Sequence, residues 1–182
     1  APHGKHVTGG KPHAAALAAA PAGLAARARA GAGVGCAPEP VLGAGIQTAR
    51  AAVEAGRIGR PLSATAVMVT PGHERWHPPP DFYSAAGGGP LLDMGPYYRA
   101  SLVHLLGPVR AVIGAAGALR TERVIGSGPR AGERIPVEVD SHVSGVLEHA
   151  GGVLTTITTS FDGVATAAAP IEVHGETGTL SV

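Results

Sequence analysis

Apolar and polar residues alternate along much of the chain after residue 60, which is the pattern of strands with one exposed face. In Val137–Leu147 four odd positions are apolar, and polar side chains alternate with them. A turn at residues 150–152 leads into Val153–Phe161, so the two segments are predicted to form an antiparallel hairpin. Further strands are predicted at Ser63–Thr70, Arg110–Leu119, Ile171–His174 and Thr179–Val182.

Strands and helices alternate in the first third of the chain. Short β-like segments at Lys5–Thr8 and Val34–Ala37 flank an Ala-rich helix from about His13 to Arg29, which Pro21 breaks or kinks. In Pro40–Ala55 apolar residues recur at helical spacing. This strand–helix–strand–helix order is of the α/β type, and it distinguishes the first part of the chain from the strands that follow.

A further helix, from about Asp93 to Leu106, interrupts the later series of strands. Strands with helices on one side form two layers around one core. The predicted fold is therefore α+β, an open and mainly antiparallel sheet with helices on one face, preceded by an α/β piece. The 182 residues suffice for one ordinary domain, or for one domain with part of another.

Composition limits the classes of function. With 14 Lys and Arg against 13 Asp and Glu, the formal net charge is +1, which excludes a protein that binds nucleic acid through a basic surface. Glycine and proline are abundant, at 28 and 16 residues, but 45% hydrophobic residues supply the apolar surface that a folded core requires. We therefore expect a globular protein without a nucleic-acid partner.

The cysteine count and the apolar segments bear on location. Cys36 is the only cysteine and cannot form an intrachain disulfide, so a reducing compartment, the cytoplasm, is expected. Pro21 and Arg27 interrupt the Ala-rich residues 14–30 well before the roughly 20 apolar residues of a transmembrane helix. We therefore expect a soluble cytoplasmic protein with no membrane partner.

Residues 73–77, His-Glu-Arg-Trp-His, match HExxH, in which two histidines one helical turn apart bind Zn²⁺ and the glutamate is a general base. The surroundings oppose a zinc hydrolase, because Gly72 precedes the motif and the prolines at 78–80 end any helix. No glutamate follows before Glu122 to supply a third ligand. We expect no metal site and interpret the segment as a substrate-lining loop, or as an aromatic loop capped by prolines. The zinc hydrolase is the least favoured alternative.

The segment Gly87–Tyr98 holds the most informative candidates. Three glycines at 87–89 allow the backbone to turn sharply or to approach a ligand closely. Pro96 fits only a helix that begins near Asp93, which places Asp93 and Tyr97 one turn apart on one face. A carboxylate and a phenol in this arrangement can act as an acid/base pair. Alternatively, Asp93 caps its helix and Tyr97 is a packing residue.

Lys11 follows two glycines at the end of a predicted strand. In an α/β sheet ligands bind at the carboxyl ends of the strands, so Lys11 is a candidate ligand contact, and a solvated loop lysine is the alternative. Residues 43–48 and 10–12 imitate nucleotide-binding motifs but lack their defining residues. No dinucleotide-binding fingerprint is therefore predicted in these residues.

Together these segments resemble the Gfo/Idh/MocA family of NAD(P)-dependent oxidoreductases. Gly4–Pro12 is similar to that family's GKHVxxEKP segment, and Gly87–Tyr98 is similar to its GGGxLxDxGxH segment. Four more segments fall in the family's order: Gly72–Pro78, Gly107–Val109, Ser160–Asp162 and Ile171–Leu180. The resemblance covers nearly the whole chain.

The resemblance implies a domain organisation and an activity. Residues 1–37 would be the end of an incomplete nucleotide-binding (Rossmann) domain, and residues 38–182 would form the substrate and oligomerisation domain. The implied reaction is hydride transfer between NAD or NADP and a sugar, a polyol or a related small molecule. The fragment is expected to be inactive alone, because the missing part should hold the dinucleotide fingerprint. The resemblance also implies a homo-oligomer formed through the sheet.

Catalytic and cofactor residues follow from the same resemblance. Lys11 would match the family's EKP lysine, which polarises the reacting oxygen and contacts the cofactor, and Pro12 would lie beside it. Asp93 and Tyr97 would match the family's Asp and His. A cation such as Lys11 beside Tyr97 would favour the phenolate and make it a usable base.

Position in the family pattern also suggests substrate contacts and a second class of function. Trp76 and His77 are expected to line the substrate site. Gly10 stands where the family carries the Glu of EKP. This difference favours a non-catalytic dimerisation or ligand-binding module of the same fold as the alternative to an enzyme.

Overall fold

A computed structural model describes residues 4–12, 14, 18, 20–37 and 39–182. The chain forms two compact units, Ala1–Glu39 and Pro40–Val182. In the first unit, strand β1 (Val7–Gly9) and strand β2 (Val34–Cys36) pair in parallel, and helix α1 (Ala20–Ala30) lies between them in the chain. The predicted beginning of the Ala-rich helix, near His13, lies outside the described residues.

The second unit contains a six-stranded sheet with the order β10-β9-β3-β8-β7-β4 and a separate two-stranded ladder of β5 and β6. Its strands are β3 (Pro61–Val69), β4 (Val109–Gly117), β5 (Glu122–Val124), β6 (Arg134–Pro136), β7 (His142–His149), β8 (Leu154–Ser160), β9 (Ile171–Gly175) and β10 (Thr179–Ser181). Neighbours in the sheet are antiparallel except β3 and β8, which are parallel. The predicted mainly antiparallel sheet is therefore confirmed, as is the hairpin of β7 and β8.

Helices pack on one face of this sheet. The helices of the second unit are α2 (Ala44–Glu54), α3 (Pro90–Asp93) and α4 (Gly95–Leu106). Ile46 of α2 and Leu102 of α4 are buried in one cluster with Ala66 and Val173 of the sheet. Full burial of a side chain as large as Leu102 contributes about 2 kcal/mol to folding. In the part of the chain that the structure covers, no helix has the length and apolarity to cross a membrane.

Two features of the strands differ from the sequence prediction. The alternating pattern predicts a strand from Val137, but β7 begins at His142. The N–H groups of Val137 and Glu138 donate instead to the carbonyls of Thr121 and Ser84, at 2.9 and 2.8 Å. Strands β5 and β6 are not predicted, because three residues are too few to show a period of two.

Two predicted helices also differ. Helix α2 begins at Ala44, after a 3₁₀ turn at Glu39–Leu42, rather than at the start of the predicted segment. The helix predicted from about Asp93 to Leu106 begins at Gly95 as α4, and a separate short helix that is not predicted, α3, ends at Asp93. Pro96 explains the break, because proline has no N–H to donate and its ring conflicts with the carbonyl four residues earlier.

Candidate active site

Asp93 and Tyr97 lie on either side of the break between α3 and α4. Asp93 ends α3, and its N–H donates to the Gly89 carbonyl at 2.9 Å. Tyr97 lies in the first turn of α4, and its N–H donates to the Met94 carbonyl at 3.1 Å. Met94, not Asp93, is the N-cap of α4, and it makes no side-chain capping bond.

The glycine-rich loop before α3 packs against the chain's own backbone. A side chain at Gly88 would overlap the carbonyl oxygens of Phe82 and Tyr83. Gly89 has a φ of +82°, which side chains other than glycine rarely tolerate. The loop therefore makes the sharp turn that was one of its two predicted uses, and it directs the chain into α3 and Asp93.

Residues 73–77 do not form the helix that an HExxH zinc site requires. His73–Arg75 is a single 3₁₀ turn, which Gly72 enters at a φ of +100°. The side chain of Glu74 is 6% exposed and pairs with Arg123. Across the described ranges, no group of three or more His, Cys, Asp and Glu side chains is placed to hold a metal ion. The glutamate of the motif thus belongs to a buried ion pair.

Arg123 of β5 is the centre of that ion-pair network, with a side chain only 3% exposed. Its Nη1 donates to Oε1 of Glu74 at 2.8 Å and to the Pro71 carbonyl at 3.3 Å. Its Nη2 donates to Oδ1 of Asp162 at 2.6 Å and to the Phe161 carbonyl at 2.9 Å. A buried guanidinium is tolerated because its charge is paired and its N–H groups are satisfied. Arg123 therefore fastens the turn that carries Glu74 to the end of β8.

Aromatic rings surround His73. Its imidazole centroid lies 4.7 Å from that of Phe161, 5.0 Å from Tyr83 and 5.4 Å from Trp76. His77 extends the cluster, at 5.2 Å from Tyr83 and 5.5 Å from Trp76. Rings at these separations attract one another in tilted and edge-to-face arrangements. Trp76 and His77, the predicted substrate contacts, thus share one aromatic cluster with His73.

His73 also contacts Asp93. Its Nδ1 lies 3.3 Å from Oδ2 of the carboxylate, at an ion-pair distance but without the direction of a hydrogen bond. Tyr83 lies beside this pair, with its ring centroid 5.0 Å from that of His73. Burial raises the pKa of the Tyr83 phenol, and the charges of Asp93 and then of Tyr97 raise that pKa further. The structure therefore brings His73, Asp93, Tyr83 and Tyr97 into one neighbourhood.

A mostly apolar cavity of about 430 Å³ opens beside Tyr97, between residues of α4 and the sheet that include Tyr98 and Ile171. Pockets for small ligands generally measure about 300–1,000 Å³. A larger cavity, of about 610 Å³, is lined by Leu92 and Val143 among others and by none of the predicted site residues. The smaller cavity is therefore the better candidate for a ligand site in the second unit.

Lys11 and Pro12 belong to the first unit. They follow β1, whose parallel pairing with β2 ends at Gly9 and Cys36. Lys11 is partly buried and Pro12 is exposed. The lysine thus lies just beyond the carboxyl end of a parallel strand, which is the edge where α/β sheets bind ligands.

Three residues of this neighbourhood are absent from the sequence-based candidates. The sequence draws attention to His73 only through the HExxH match, and the interpretation of that segment as a substrate-lining or aromatic loop gives no indication of the contact between His73 and Asp93. Tyr83 and Arg123 carry no motif. The pairing of Arg123 with Glu74 joins residues 49 positions apart, and no local pattern encodes it.

The comparison with protein families gives one match. The family model of the GFO/IDH/MocA C-terminal domain matches residues 46–181. Among curated proteins, no sequence matches the chain. The matched range begins within α2 and ends in β10, so it covers the whole sheet and the turn that carries His73.

Solved structures agree in fold. An NAD binding oxidoreductase from Klebsiella pneumoniae is similar over 98% of this chain and 47% of its own, with a TM-score of 0.79 and 26% identity. The WlbA dehydrogenase from Bordetella pertussis, solved with NADH and UDP-GlcNAcA, is similar over 97% of this chain and 48% of its own, with a TM-score of 0.78 and 21% identity. Levoglucosan dehydrogenase in its apo form is similar over 96% of this chain and 47% of its own, with a TM-score of 0.73 and 24% identity.

The last two likenesses show the fold alone, because their identities are below 25%. The chain spans about half the length of each of these proteins. The family match extends over most of the chain, and the TM-scores of 0.79, 0.78 and 0.73 show that the three solved structures share its fold. This chain therefore belongs to the GFO/IDH/MocA family and contains its C-terminal domain.

Proposed function

We propose that this chain is part of an oxidoreductase that transfers hydride between NAD or NADP and a sugar, a polyol or a related small molecule. The family match over residues 46–181 carries the proposal. The NAD binding oxidoreductase from Klebsiella pneumoniae supports the cofactor, and the WlbA and levoglucosan dehydrogenases support a carbohydrate substrate. Residues 1–37 then end a nucleotide-binding domain, and residues 38–182 form the substrate domain. The single cysteine supports a location in the cytoplasm.

The site residues suit the proton-transfer part of alcohol oxidation. When a CH–OH carbon loses hydride, the hydroxyl must also lose its proton, so that a C=O bond replaces the C–H and O–H bonds. Tyr97 borders the cavity, and its phenolate receives this proton to become the neutral phenol. The Asp93 carboxylate is the second member of the acid/base pair. The ammonium of Lys11 stabilises the negative charge that develops on the reacting oxygen.

The residues present also fit a nicotinamide cofactor in their chemistry. A partly buried ammonium follows a parallel strand pair, so Lys11 and Pro12 would hold the cofactor at that edge. The bound cofactor supplies the hydride acceptor or donor. Trp76 is 61% exposed and, with His77, offers ring surface to a sugar.

Cofactor binding and one lysine variant test this proposal in the intact protein. The fluorescence of NADH or NADPH should change on binding, and Lys11→Ala should abolish turnover while far-ultraviolet circular dichroism stays unchanged. Lys5→Ala is the matched control, because Lys5 is an exposed lysine of the same unit. No cofactor binding by the intact protein would remove the enzyme proposal. Unchanged kcat in Lys11→Ala would remove only the role of Lys11.

A non-catalytic dimerisation or ligand-binding module is the second candidate. Gly10, which replaces a glutamate of the family's motif, favours it, and so does the apolar surface around Ile113 of the edge strand β4, which is 78% exposed. We propose that a second copy of the chain covers this surface in either case. Light scattering should then show an oligomer that Ile113→Glu converts to a monomer, and a monomeric wild type would contradict the oligomer. Cofactor binding without turnover on any polyol would favour the module.

A further inference from the structure

The imidazole of His73 is buried, but its Nδ1 is not satisfied. Within the residues that the structure describes, no group forms a hydrogen bond with this atom, and Oδ2 of Asp93 lies 3.3 Å away. Leaving a buried polar atom without a hydrogen bond costs roughly 1–3 kcal/mol. Native structures contain few such atoms, and each of them calls for an explanation, of which a role in a reaction is one. The cost at His73 therefore calls for a role beyond packing.

The surrounding aromatic rings and the backbone of its own turn both restrain this imidazole. Three aromatic rings enclose it, as described above. The next residue, Glu74, is bound to Arg123 at 2.8 Å, and its carbonyl accepts the N–H of Gly126 at 2.9 Å. A side chain at Gly126 would overlap the backbone of Arg75, so the turn lies tightly against this segment. The backbone at His73 therefore cannot shift away from Asp93 without disturbing a buried ion pair, which is costly.

We propose that His73 is a positioning residue, whose Nδ1 holds the carboxylate of Asp93 in the orientation in which it meets the substrate. The proposal rests on the proposed function in one respect, that Asp93 belongs to the reacting site. Hydrogen bonds of catalytic groups are often long in the free protein and tighten when the substrate binds. The contact of 3.3 Å becomes a hydrogen bond at that stage, and no bond of His73 forms or breaks in the reaction.

Two substitutions with amides distinguish this role from packing. His73→Asn places an amide nitrogen near the position of Nδ1, whereas His73→Gln places it near that of Nε2. In the intact protein, the Gln variant should lose about 100-fold in kcat with a much smaller change in KM, since a misplaced group of this kind can cost that much. The Asn variant should recover to within about tenfold of the wild type. His149→Gln is the matched control, a buried histidine remote from Asp93, and its kcat should not change.

A second readout is independent of turnover. The Nδ1 resonance of His73 in nitrogen-15 spectra, assigned by its loss in the Asn variant, should shift when Asp93 is replaced by Asn. Wild-type kcat in the Gln variant, equal losses in the two amide variants, or an unshifted resonance would each overturn the proposal. An intact wild-type protein without cofactor-dependent turnover would instead remove the proposed function, and the resonance would still decide whether His73 holds Asp93.

Discussion

Two buried histidines of the second unit use their ring nitrogens differently. His149, at the end of β7, is fully buried, and its Nδ1 donates to the Gly107 carbonyl at 2.8 Å. Its Nε2 accepts from the Thr155 hydroxyl at 3.0 Å, because a carbonyl can only accept and so fixes the proton on Nδ1. His73 is nearly as buried, yet its Nδ1 faces Asp93 at 3.3 Å without a hydrogen bond.

The difference separates a region that stabilises the fold from one that serves the site. A buried group with all its hydrogen bonds made contributes to stability and has no capacity left for a ligand. A buried group with an unused polar atom lowers stability and keeps that capacity. Substitutions around His149 should therefore change the free energy of unfolding, and those around His73 and Asp93 should change turnover. The first and third predictions below test this contrast directly, and the other two sharpen it.

Among substitutions in the second unit, Asp93→Asn should have the largest effect on turnover. Removal of one member of an acid/base pair lowers kcat by about 10³-fold, and the amide preserves the size of the side chain, so the unfolding free energy should hardly change. Steady-state kinetics and urea unfolding of the intact protein measure the two effects. Asp140→Asn is the matched control, because Asp140 is an exposed carboxylate of the same unit. A kcat within about threefold of the wild type would remove Asp93 from the reaction.

Arg123→Met should have the largest effect on stability. The variant leaves Glu74 buried without its counterion and leaves Asp162 with only Arg120 as a counterion, at 3.8 Å. Breaking a buried pair in this way costs about 3–5 kcal/mol. Urea unfolding measures the loss. Arg130→Met is the control, because Arg130 also pairs with two carboxylates but at the surface, and its change should be small. Equal losses of unfolding free energy in the two variants would show that burial does not increase the contribution of the Arg123 network to stability.

His149→Leu should lower stability less and leave turnover intact. The variant leaves the Gly107 carbonyl and the Thr155 hydroxyl buried without a partner, which costs about 2 kcal/mol. Thermal unfolding measures this loss, and kcat per folded molecule should equal that of the wild type. A fall in kcat larger than the loss of folded protein would contradict the separation of the two histidines.

Tyr83→Phe should have the smallest effect, confined to alkaline pH. Burial and the charge of Asp93 raise the pKa of Tyr83 above its ordinary value of 10.0. The unfolded chain therefore ionises first as pH rises through about 10, which lowers the stability of the wild type above that pH. Phenylalanine cannot ionise, so the variant should lose less stability between pH 8 and pH 11, as measured by urea unfolding. Parallel pH dependences would show that Tyr83 titrates as it does in water.

The sheet was largely predictable, because its strands are long enough to show their period. Segments such as Ser63–Thr70 and Ile171–His174 agree with β3 and β9 to within two residues. The alternating pattern before His142 led to a wrong strand prediction. The backbone N–H groups of Val137 and Glu138 form hydrogen bonds with loop residues rather than with a neighbouring strand. Where hydrogen bonds run to distant loops, alternation in the sequence gives no indication of them.

The site was predictable only where its residues are close in sequence. The spacing of Asp93 and Tyr97 predicts that they lie one helical turn apart, and in the structure they stand on either side of the break between α3 and α4. The contact between His73 and Asp93 depends on how two loops pack, and so does the pairing of Glu74 with Arg123. A five-residue motif indicated which residues were unusual but assigned them a chemistry that the fold does not support.

One 3₁₀ turn places His73 and Glu74 side by side, with the first facing the site and the second facing the scaffold. A mutational scan scored by growth or activity alone would therefore give adjacent positions the same score for different reasons. Measuring the amount of folded protein in the same library would separate them, since changes at Glu74 would deplete the protein and changes at His73 would leave it abundant but slow.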